Sequence, residues 1–173
     1  ILKVIVRSIV DRTLKVLGRA VISAAPAGLL IWVLANVPLS GQTTLLTALT
    51  GFLDPFARRL GMDGCILTGF LLGLPANEIV VPIIIMTYMA RGSLLEVEGV
   101  QLMQLFTANG WTWITAVSTL LFSLMHWPCS TTCLTIYKET GSTKWTLLSI
   151  LLPPIIGFSL CFLLNLLHTA IAL

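Results

Sequence analysis

Charged residues are scarce in this sequence. Lys, Arg, Asp and Glu make up 10% of its 173 residues, and all four are absent from 20–53, 99–137 and 145–173. Apolar residues make up 57% of the chain, and the mean hydropathy is +0.98. This composition excludes an ordinary soluble domain. Because a helix crosses a bilayer with roughly 20 apolar residues, we expect an all-α, polytopic transmembrane helical bundle.

Sequence motifs of the common enzyme classes are also missing. The sequence has no Gly-x-x-x-x-Gly-Lys-Ser/Thr loop to cradle a nucleotide phosphate, no zinc-protease motif and no Rossmann fingerprint. We therefore expect no enzymatic activity in this chain. A net charge of +3 is too small for a nucleic-acid binder, so no nucleic-acid partner is expected. The chain starts at Ile1 without a signal peptide, and we expect it to be a fragment of a longer transporter.

The four cysteines lie within or beside apolar segments, where a secreted disulfide framework would not place them. We expect free thiols at all four positions, which are Cys65, Cys129, Cys133 and Cys161.

The first 19 residues show an amphipathic pattern. Apolar residues occupy one side of a helix, and charged residues recur every four positions at Lys3, Arg7, Asp11, Lys15 and Arg19. A basic stripe of this kind suits the cytoplasmic face of a membrane. We therefore divide the chain into an interfacial helix at 1–19 and a transmembrane domain at 20–173, whose first span runs from about 20 to 37.

The rest of the chain contains one short and three long apolar segments. The stretch 44–60 is interrupted by Asp54, Pro55 and Arg58, which predicts an interfacial or re-entrant helix rather than a span. Long segments follow at 64–90 and 111–137, and a last span is predicted at about 145–168. The loop charges do not decide whether the segments at 64–90 and 111–137 cross the membrane or return as re-entrant hairpins.

Two of the long segments are interrupted in the same way. One contains Gly73-Leu-Pro-Ala-Asn77 and the other contains His126-Trp-Pro-Cys-Ser130. In each, a proline is followed by a small residue and then by Asn or Ser, which are good helix N-caps. The pattern predicts a half-helix, an unwound corner and a second half-helix that begins under a side-chain cap. Pro82 predicts a further interruption of the first segment.

Each corner proline removes the hydrogen-bond donor of a carbonyl four residues earlier. These are the carbonyls of Leu71 and Leu124, and in hydrocarbon they must face protein, water or a cation. Broken helices at matching positions indicate a transport site near the middle of the membrane. The alternative is a pair of proline kinks that neighbouring helices repair.

Several side chains at the corners could bind a cation. Glu78 is the only acidic residue inside an apolar segment, and a buried carboxylate is costly unless it binds a cation, titrates or pairs. Cys129 precedes the half-helix at Ser130, whose N-terminus favours a thiolate. On a regular helix, His126 and Cys133 would share its face. Thiolate and imidazole suit a first-row transition metal.

The sequence therefore predicts a metal site and a set of gating residues. The predicted metal ligands are Cys129, Glu78, His126, Cys133 and Asn77, and the predicted gating or helix-break residues are Pro75, Ala76, Pro128, Ser130 and Pro82. The alternative is that the cysteines pack between helices and that Glu78 makes a structural hydrogen bond or ion pair.

These same stretches resemble the FeoB family of ferrous-iron permeases. The run Gly73-Leu-Pro-Ala-Asn-Glu-Ile-Val-Val-Pro-Ile-Ile-Ile-Met86 resembles the second gate region of that family. His126-Trp-Pro-Cys-Ser-Thr-Thr132 and the charged turn Tyr137-Lys-Glu-Thr-Gly-Ser-Thr-Lys-Trp145 resemble its C-terminal Pro-Cys segment and the turn before its last helix. The resemblance covers nearly the whole chain.

The resemblance implies Fe²⁺ uptake by a multi-pass protein of the bacterial inner membrane. It implies gate residues at Pro75, Ala76, Asn77 and Glu78 and a pore cysteine at Cys129. Fe²⁺ would be the transported substrate, with no permanently bound cofactor. GTP would act only through an N-terminal GTPase domain, which this sequence lacks, as it lacks the first gate repeat. The implied partners are the bilayer, the rest of the same chain, small cytosolic Feo proteins and further copies of the protein.

Two other functions fit the same pattern. The chain could belong to a nucleoside or organic-solute carrier, since similar gate-type repeats are associated with nucleoside recognition. It could also be a non-transporting membrane scaffold whose kinks only shape helix packing.

Overall fold

A computed structural model describes residues 2–40, 43–75, 77–89 and 99–171. Within these ranges the secondary structure is all-α apart from one short ribbon, as the sequence predicts. The described helices are α1 (Leu2–Asn36), α2 (Leu45–Arg59), α3 (Gly64–Leu72), α4 (Val80–Tyr88), α5 (Val100–Ala108), α6 (Trp113–Met125), α7 (Ser130–Thr140) and α8 (Thr143–Ile171). A 3-10 turn at Asn77–Ile79 precedes α4, and strands β1 (Pro38–Ser40) and β2 (Thr43–Thr44) pair antiparallel.

Helix α1 is continuous over 35 residues. The backbone shows no interruption near residue 19, so the boundary between an interfacial helix and a first span stays a prediction. Among the α1 residues whose side chains the structure describes, Ile31 and Ala35 are buried, beside Leu46 of α2 and Ile83 of α4. The ribbon follows α1, and Thr44 then caps α2 by exchanging hydrogen bonds with Thr47.

Helices α3 and α4 form a tight antiparallel hairpin. Each helix has 9 residues, or about 14 Å of rise, which is roughly half of the ~30 Å hydrocarbon core. A Cβ atom on Gly69 would lie 2.5 Å from Cγ1 of Ile84, and one on Gly73 would collide with Val80. At the open end, the Tyr88 hydroxyl donates a hydrogen bond to Asp63. The segment 64–88 therefore returns to its starting level as a hairpin.

Helices α6 and α7 instead run past successive parts of α8. The Trp113 and His168 rings lie 5.3 Å apart, and the Cys161 thiol donates to the Ser118 carbonyl at 3.4 Å. Further along, Tyr137 of α7 shares a groove with Thr146 of α8. Because α6 and α7 lie antiparallel to consecutive stretches of one helix, the segment 113–140 keeps its direction through the break.

Helix α8 is the one described helix that is long and apolar enough to cross a membrane by length and composition. Its 29 residues extend the predicted last span by a few residues at each end. Near its C-terminus, the Asn165 side-chain amide donates to the carbonyls of Arg58 at 3.1 Å and Arg59 at 3.2 Å. The Arg58 carbonyl also accepts from the Gly61 N–H at 3.2 Å, whereas Asn165 is the one described partner of the Arg59 carbonyl.

The largest hydrophobic core joins the hairpin to α2, α6 and α8. Phe70 of α3 and Phe122 of α6 are both buried, and their rings meet edge to face with centroids 4.9 Å apart. Ile66, Ala57 and Cys161 are fully enclosed around them. This packing fixes the hairpin beside α6. The connection between α3 and α4, described at residues 73–75 and 77–79 and called the hairpin tip, therefore lies at the level where α6 ends.

Candidate transport site at the two chain breaks

The first break separates α3 from α4 near Pro75. Helix α3 ends at Leu72, the Gly73 N–H donates to the Gly69 carbonyl at 2.8 Å, and a turn leads to the 3-10 turn at Asn77–Ile79. The predicted interruption is confirmed here, while Ala76 lies outside the described residues. Pro82 does not interrupt the chain, because it lies in the first turn of α4, where a helix needs no N–H donor. The interruption expected at Pro82 was wrong.

The second break separates α6 from α7 by four residues. Helix α6 ends at Met125 and α7 begins at Ser130, as predicted. The backbone between them is extended, with ψ of 176° at His126 and 157° at Cys129. Since this backbone is not helical, the expectation that His126, Cys129 and Cys133 share one helix face was wrong.

The predicted side-chain caps are not formed at either break. The N-cap residues are Ile79 for α4 and Cys129 for α7, and neither makes a side-chain capping hydrogen bond. Asn77 and Ser130 do not occupy the N-cap positions, and their polar side chains contact the opposite break.

The two breaks contact each other through two polar pairs. Nε2 of His126 lies 3.1 Å from Oδ1 of Asn77, and the Ser130 hydroxyl donates to the Pro75 carbonyl at 3.3 Å. The His126 ring also lies 5.4 Å from the Phe70 ring. The structure therefore brings together two corners that lie about fifty residues apart in the sequence.

His126 is held between α6 and the hairpin tip by both ring nitrogens. Nδ1 lies 2.7 Å from the Ser123 carbonyl, which only accepts, so Nδ1 carries a hydrogen. A neutral ring then offers Nε2 as an acceptor and requires the Asn77 amide to present its NH₂ group. A protonated ring donates to the Asn77 carbonyl oxygen instead. Either arrangement links the last turn of α6 to the tip.

Cys129 lies at the start of α7 among hydroxyl groups. Its sulfur is 3.1 Å from Oγ1 of Thr131 and 3.1 Å from Oγ1 of Thr132. The Cys133 thiol donates to the Pro128 carbonyl at 3.4 Å, which supplies one hydrogen bond to the unwound backbone. All four cysteines are free thiols, as the sequence predicts.

The predicted metal ligands are divided between two places. His126 and Asn77 contact each other, whereas Cys129 is surrounded by threonines, and Glu78 is exposed without a hydrogen bond or ion pair to any described residue. In the described part of the chain, no three His, Cys, Asp or Glu side chains lie close enough to hold one metal ion. The ligand set Cys129, Glu78, His126, Cys133 and Asn77 stays a prediction.

The sequence analysis did not identify a pair of prolines within α8 that lies beside the two breaks. Helix α8 contains Pro153 and Pro154, and one turn later Gly157 lies against Phe122 and Met125 at the end of α6. A groove of about 350 Å³ lies nearby, lined by Leu74, Pro128, Ser130, Cys133, Leu134, Tyr137, Thr146 and Ile150. Two adjacent prolines inside the last uncharged run were the available signal.

Comparison with known proteins gives one result for this chain. The sequence model of the family described as "Gate: Nucleoside recognition" matches residues 17–143, which is more than half of the chain and includes both breaks. Neither a curated protein sequence nor a solved structure gives a significant match.

Proposed function

Because the chain belongs to the Gate (nucleoside recognition) family, we propose that it forms part of a membrane permease and that the permease carries Fe²⁺. The observation that supports a transport role is the contact between the hairpin tip and the second break, between α6 and α7. There, Nε2 of His126 lies 3.1 Å from Oδ1 of Asn77. Interrupted helices that meet in this way expose backbone polar groups to one another inside a membrane protein. A solute entering between them would find hydrogen-bonding groups on both sides.

Fe²⁺ is proposed as the cargo because the groups at the breaks include sulfur, nitrogen and oxygen donors. The Cys129 thiol lies at one break, and the exposed Glu78 carboxylate lies at the other. A first-row transition ion accepts this mixture of donors more readily than Mg²⁺ or Ca²⁺ does. In this proposal Fe²⁺ loses part of its hydration shell between the breaks and meets Cys129, Glu78 and free carbonyl oxygens.

The same proposal includes the setting of the complete protein. The permease would be a multi-pass protein of the bacterial inner membrane. A GTPase domain and a first gate repeat elsewhere in the protein would act with this segment, and small cytosolic Feo proteins and further copies of the permease would be its partners. The resemblance of residues 73–86 and 126–132 to ferrous-iron permeases supports this setting.

Fe²⁺ uptake by proteoliposomes containing the intact protein tests the proposal. We expect Cys129→Ser and Glu78→Gln each to lower the initial uptake rate at least tenfold at equal protein content. Glu139→Gln, at the exposed end of α7, and Cys161→Ala, in the core, are matched controls that should keep the parental rate. Parental uptake by both Cys129→Ser and Glu78→Gln would contradict Fe²⁺ passage at these breaks.

A nucleoside or related organic solute is the second candidate cargo. Hydroxyl, amide and imidazole groups gather at the breaks in Ser130, Thr131, Thr132, Asn77 and His126. Such groups can pair with ribose hydroxyls and base edges, and the family description names nucleoside recognition. Uptake of a radiolabelled nucleoside that unlabelled nucleosides inhibit, and that Fe²⁺ does not inhibit, would select this candidate. Absence of both activities would favour the scaffold alternative.

A further inference from the structure

Helix α7 and the first half of α8 form a pair that is poorly anchored in the protein core. No side chain between residues 130 and 152 is buried, whereas Pro154, Gly157 and Cys161 are buried in the second half of α8. The two helices are joined by a short turn in which Gly141 has a φ of +62° and donates its N–H to the Tyr137 carbonyl at 2.9 Å. We call residues 130–152 the α7–α8 arm.

Each connection of the α7–α8 arm lacks some or all of the backbone hydrogen bonds of a regular helix. On one side lies the extended segment 126–129. On the other side, Pro153 and Pro154 have no N–H, so the carbonyls of Ser149 and Ile150 lose their partners four residues ahead. The Ile150 carbonyl also lacks a donor three residues ahead, because that residue is Pro153. Helix α8 is therefore weakest at this point.

These two weak places lie at the same level. A Cβ atom on Gly157 would be 3.1 Å from Cβ of Met125 and 3.1 Å from Cδ2 of Phe122, so Gly157 is level with the last turn of α6. Since α6 and α8 are antiparallel, the turn before Gly157, which contains Pro153 and Pro154, is level with the residues that follow Met125. The two weak places lie side by side and define one axis.

We infer that the α7–α8 arm moves as a unit about a hinge formed by residues 126–129 and Pro153–Pro154. The arm contacts the hairpin tip through the 3.3 Å hydrogen bond from Ser130 to the Pro75 carbonyl, and it also contacts α1. The groove between Leu74 of the tip and the arm leaves room for movement. His126 is the first residue of the hinge segment and is held to α6 through Nδ1, which lies 2.7 Å from the Ser123 carbonyl. Its contact with Asn77 therefore stays with α6, and the arm opens the site without detaching the tip from α6.

The inference deepens the proposed transport function by assigning its moving part, and it holds for either cargo. It also differs from a moving hairpin tip, because both ends of the hairpin are held. The tip is bonded to His126, and the open end is closed by the hydrogen bond from Tyr88 to Asp63. The fixed body therefore contains the hairpin, α2, α6 and the second half of α8.

Distance measurement on the intact protein in liposomes tests the hinge without requiring transport. Spin-labelled unnatural amino acids at Lys138 and Leu166 report the position of the arm against the fixed body and leave the cysteines in place. We expect two populations of distances for this pair. The pair Phe52 and Leu166, within the fixed body, should give one narrow population. A Lys138–Leu166 distribution as narrow as that of the control pair would overturn the inference, whatever the protein transports.

A proline variant tests the proposed position of the hinge. Pro153→Ala with Pro154→Ala restores both N–H groups to α8, and we expect the Lys138–Leu166 distances to collapse to one population. Pro26→Ala, which changes another helix-interior proline, is the matched control and should leave both populations. Unchanged populations in the double variant would overturn the hinge at this position.

A cross-link provides a second test that does not depend on folding of the proline variant. Leu74→Cys creates a thiol that lines the same groove as Cys133. Bridging these two thiols with a short bifunctional reagent should fix the arm to the tip and leave one of the two Lys138–Leu166 populations, and cleavage of the reagent should restore both. A bridged protein that keeps both populations would also overturn the inference.

Discussion

The two breaks have the same proline pattern in sequence, but the chain turns back at one and continues at the other. In the hairpin, Gly69 and Gly73 let α4 pack directly on α3. Helix α6 contains no glycine, and its close contact is instead made by Gly157 of the separate helix α8. The comparison shows that the position of small residues determines which helix packs against a broken segment. Proline alone does not end a helix, since Pro26, Pro55 and Pro153 lie inside α1, α2 and α8.

The hairpin is also closed by polar groups at its open end, away from the break. Asp63 accepts a hydrogen bond from the Ile66 N–H at 2.8 Å and another from the Tyr88 hydroxyl. The Trp111 indole N–H then donates to the Tyr88 oxygen at 2.7 Å. Its ring stacks on Phe106 with centroids 4.1 Å apart. This network holds the start of α3 and the end of α4 side by side.

The largest effect is expected from closing the space between the hairpin helices. Gly69→Val places side-chain atoms where Ile84 already lies, and we expect a loss of about 3 kcal/mol or more in unfolding free energy. Gly157→Ala is the control, because its nearest contacts would be at 3.1 Å instead of 2.5 Å, and it should cost about 1 kcal/mol. Thermal or denaturant unfolding in detergent measures both. Equal stability of the two variants would contradict the distinction between the breaks.

A smaller loss of unfolding free energy is expected from removing the Tyr88 hydrogen bonds at the open end of the hairpin. Tyr88→Phe removes the hydroxyl that bonds to Asp63 and Trp111, and we expect a loss of about 1.5 kcal/mol, since one partner is a carboxylate. Tyr137→Phe is the control, because the Tyr137 hydroxyl has no hydrogen bond to any described residue, and it should change stability by less than about 0.5 kcal/mol. The same unfolding measurement applies. A Tyr88→Phe protein as stable as the control would show that the network does not hold the hairpin.

The contact between the two breaks should give a measurable coupling. In a double-mutant cycle with His126→Ala and Asn77→Ala, we expect a coupling of about 0.6 kcal/mol in unfolding free energy, the average for hydrogen bonds between membrane helices. A cycle that pairs His126→Ala with Thr135→Ala, in α7, is the control and should be additive. Additive effects of His126→Ala and Asn77→Ala would mean that the 3.1 Å contact does not stabilise the association of the two breaks.

The smallest effect is expected at the contact between the α7–α8 arm and the hairpin tip. Ser130→Ala removes a long hydrogen bond of 3.3 Å, and we expect a loss of less than about 0.5 kcal/mol. Ser159→Ala, which removes a bond within α8, should behave alike. The arm is assigned the weaker of the two contacts with the tip. That assignment would be wrong if Ser130→Ala lowered the unfolding free energy by more than the His126–Asn77 coupling energy.

The positions of the breaks could be predicted because their cause is local. Pro75 and Pro128 are each followed by a small residue and then by Asn or Ser, and this local combination predicts the ends of α3 and α6 without knowledge of the fold. The first residue of α7, Ser130, follows from the same reasoning. By contrast, Pro82 shows the limit of the rule, because a proline in the first turn of a helix removes no hydrogen bond.

The direction of the chain and the partners of the site residues could not be predicted. The hairpin depends on contacts between Gly69 and Ile84 and between Asp63 and Tyr88, which no periodicity within one segment encodes. Likewise, Asn77 and Ser130 are evident as polar residues at the corners. Their side chains bond to the opposite break and do not cap their own helices, and this choice of partner depends on how two distant segments pack.

The amide of Asn165 places a requirement on the order of synthesis. It donates to the last carbonyls of α2, which leave the ribosome more than a hundred residues earlier. The Arg58 carbonyl also accepts from the Gly61 N–H at 3.2 Å, so it is the Arg59 carbonyl that depends on Asn165 and must be paired by water until α8 emerges. A nascent chain stopped before Asn165 would therefore lack the side chain that pairs the last carbonyl of α2.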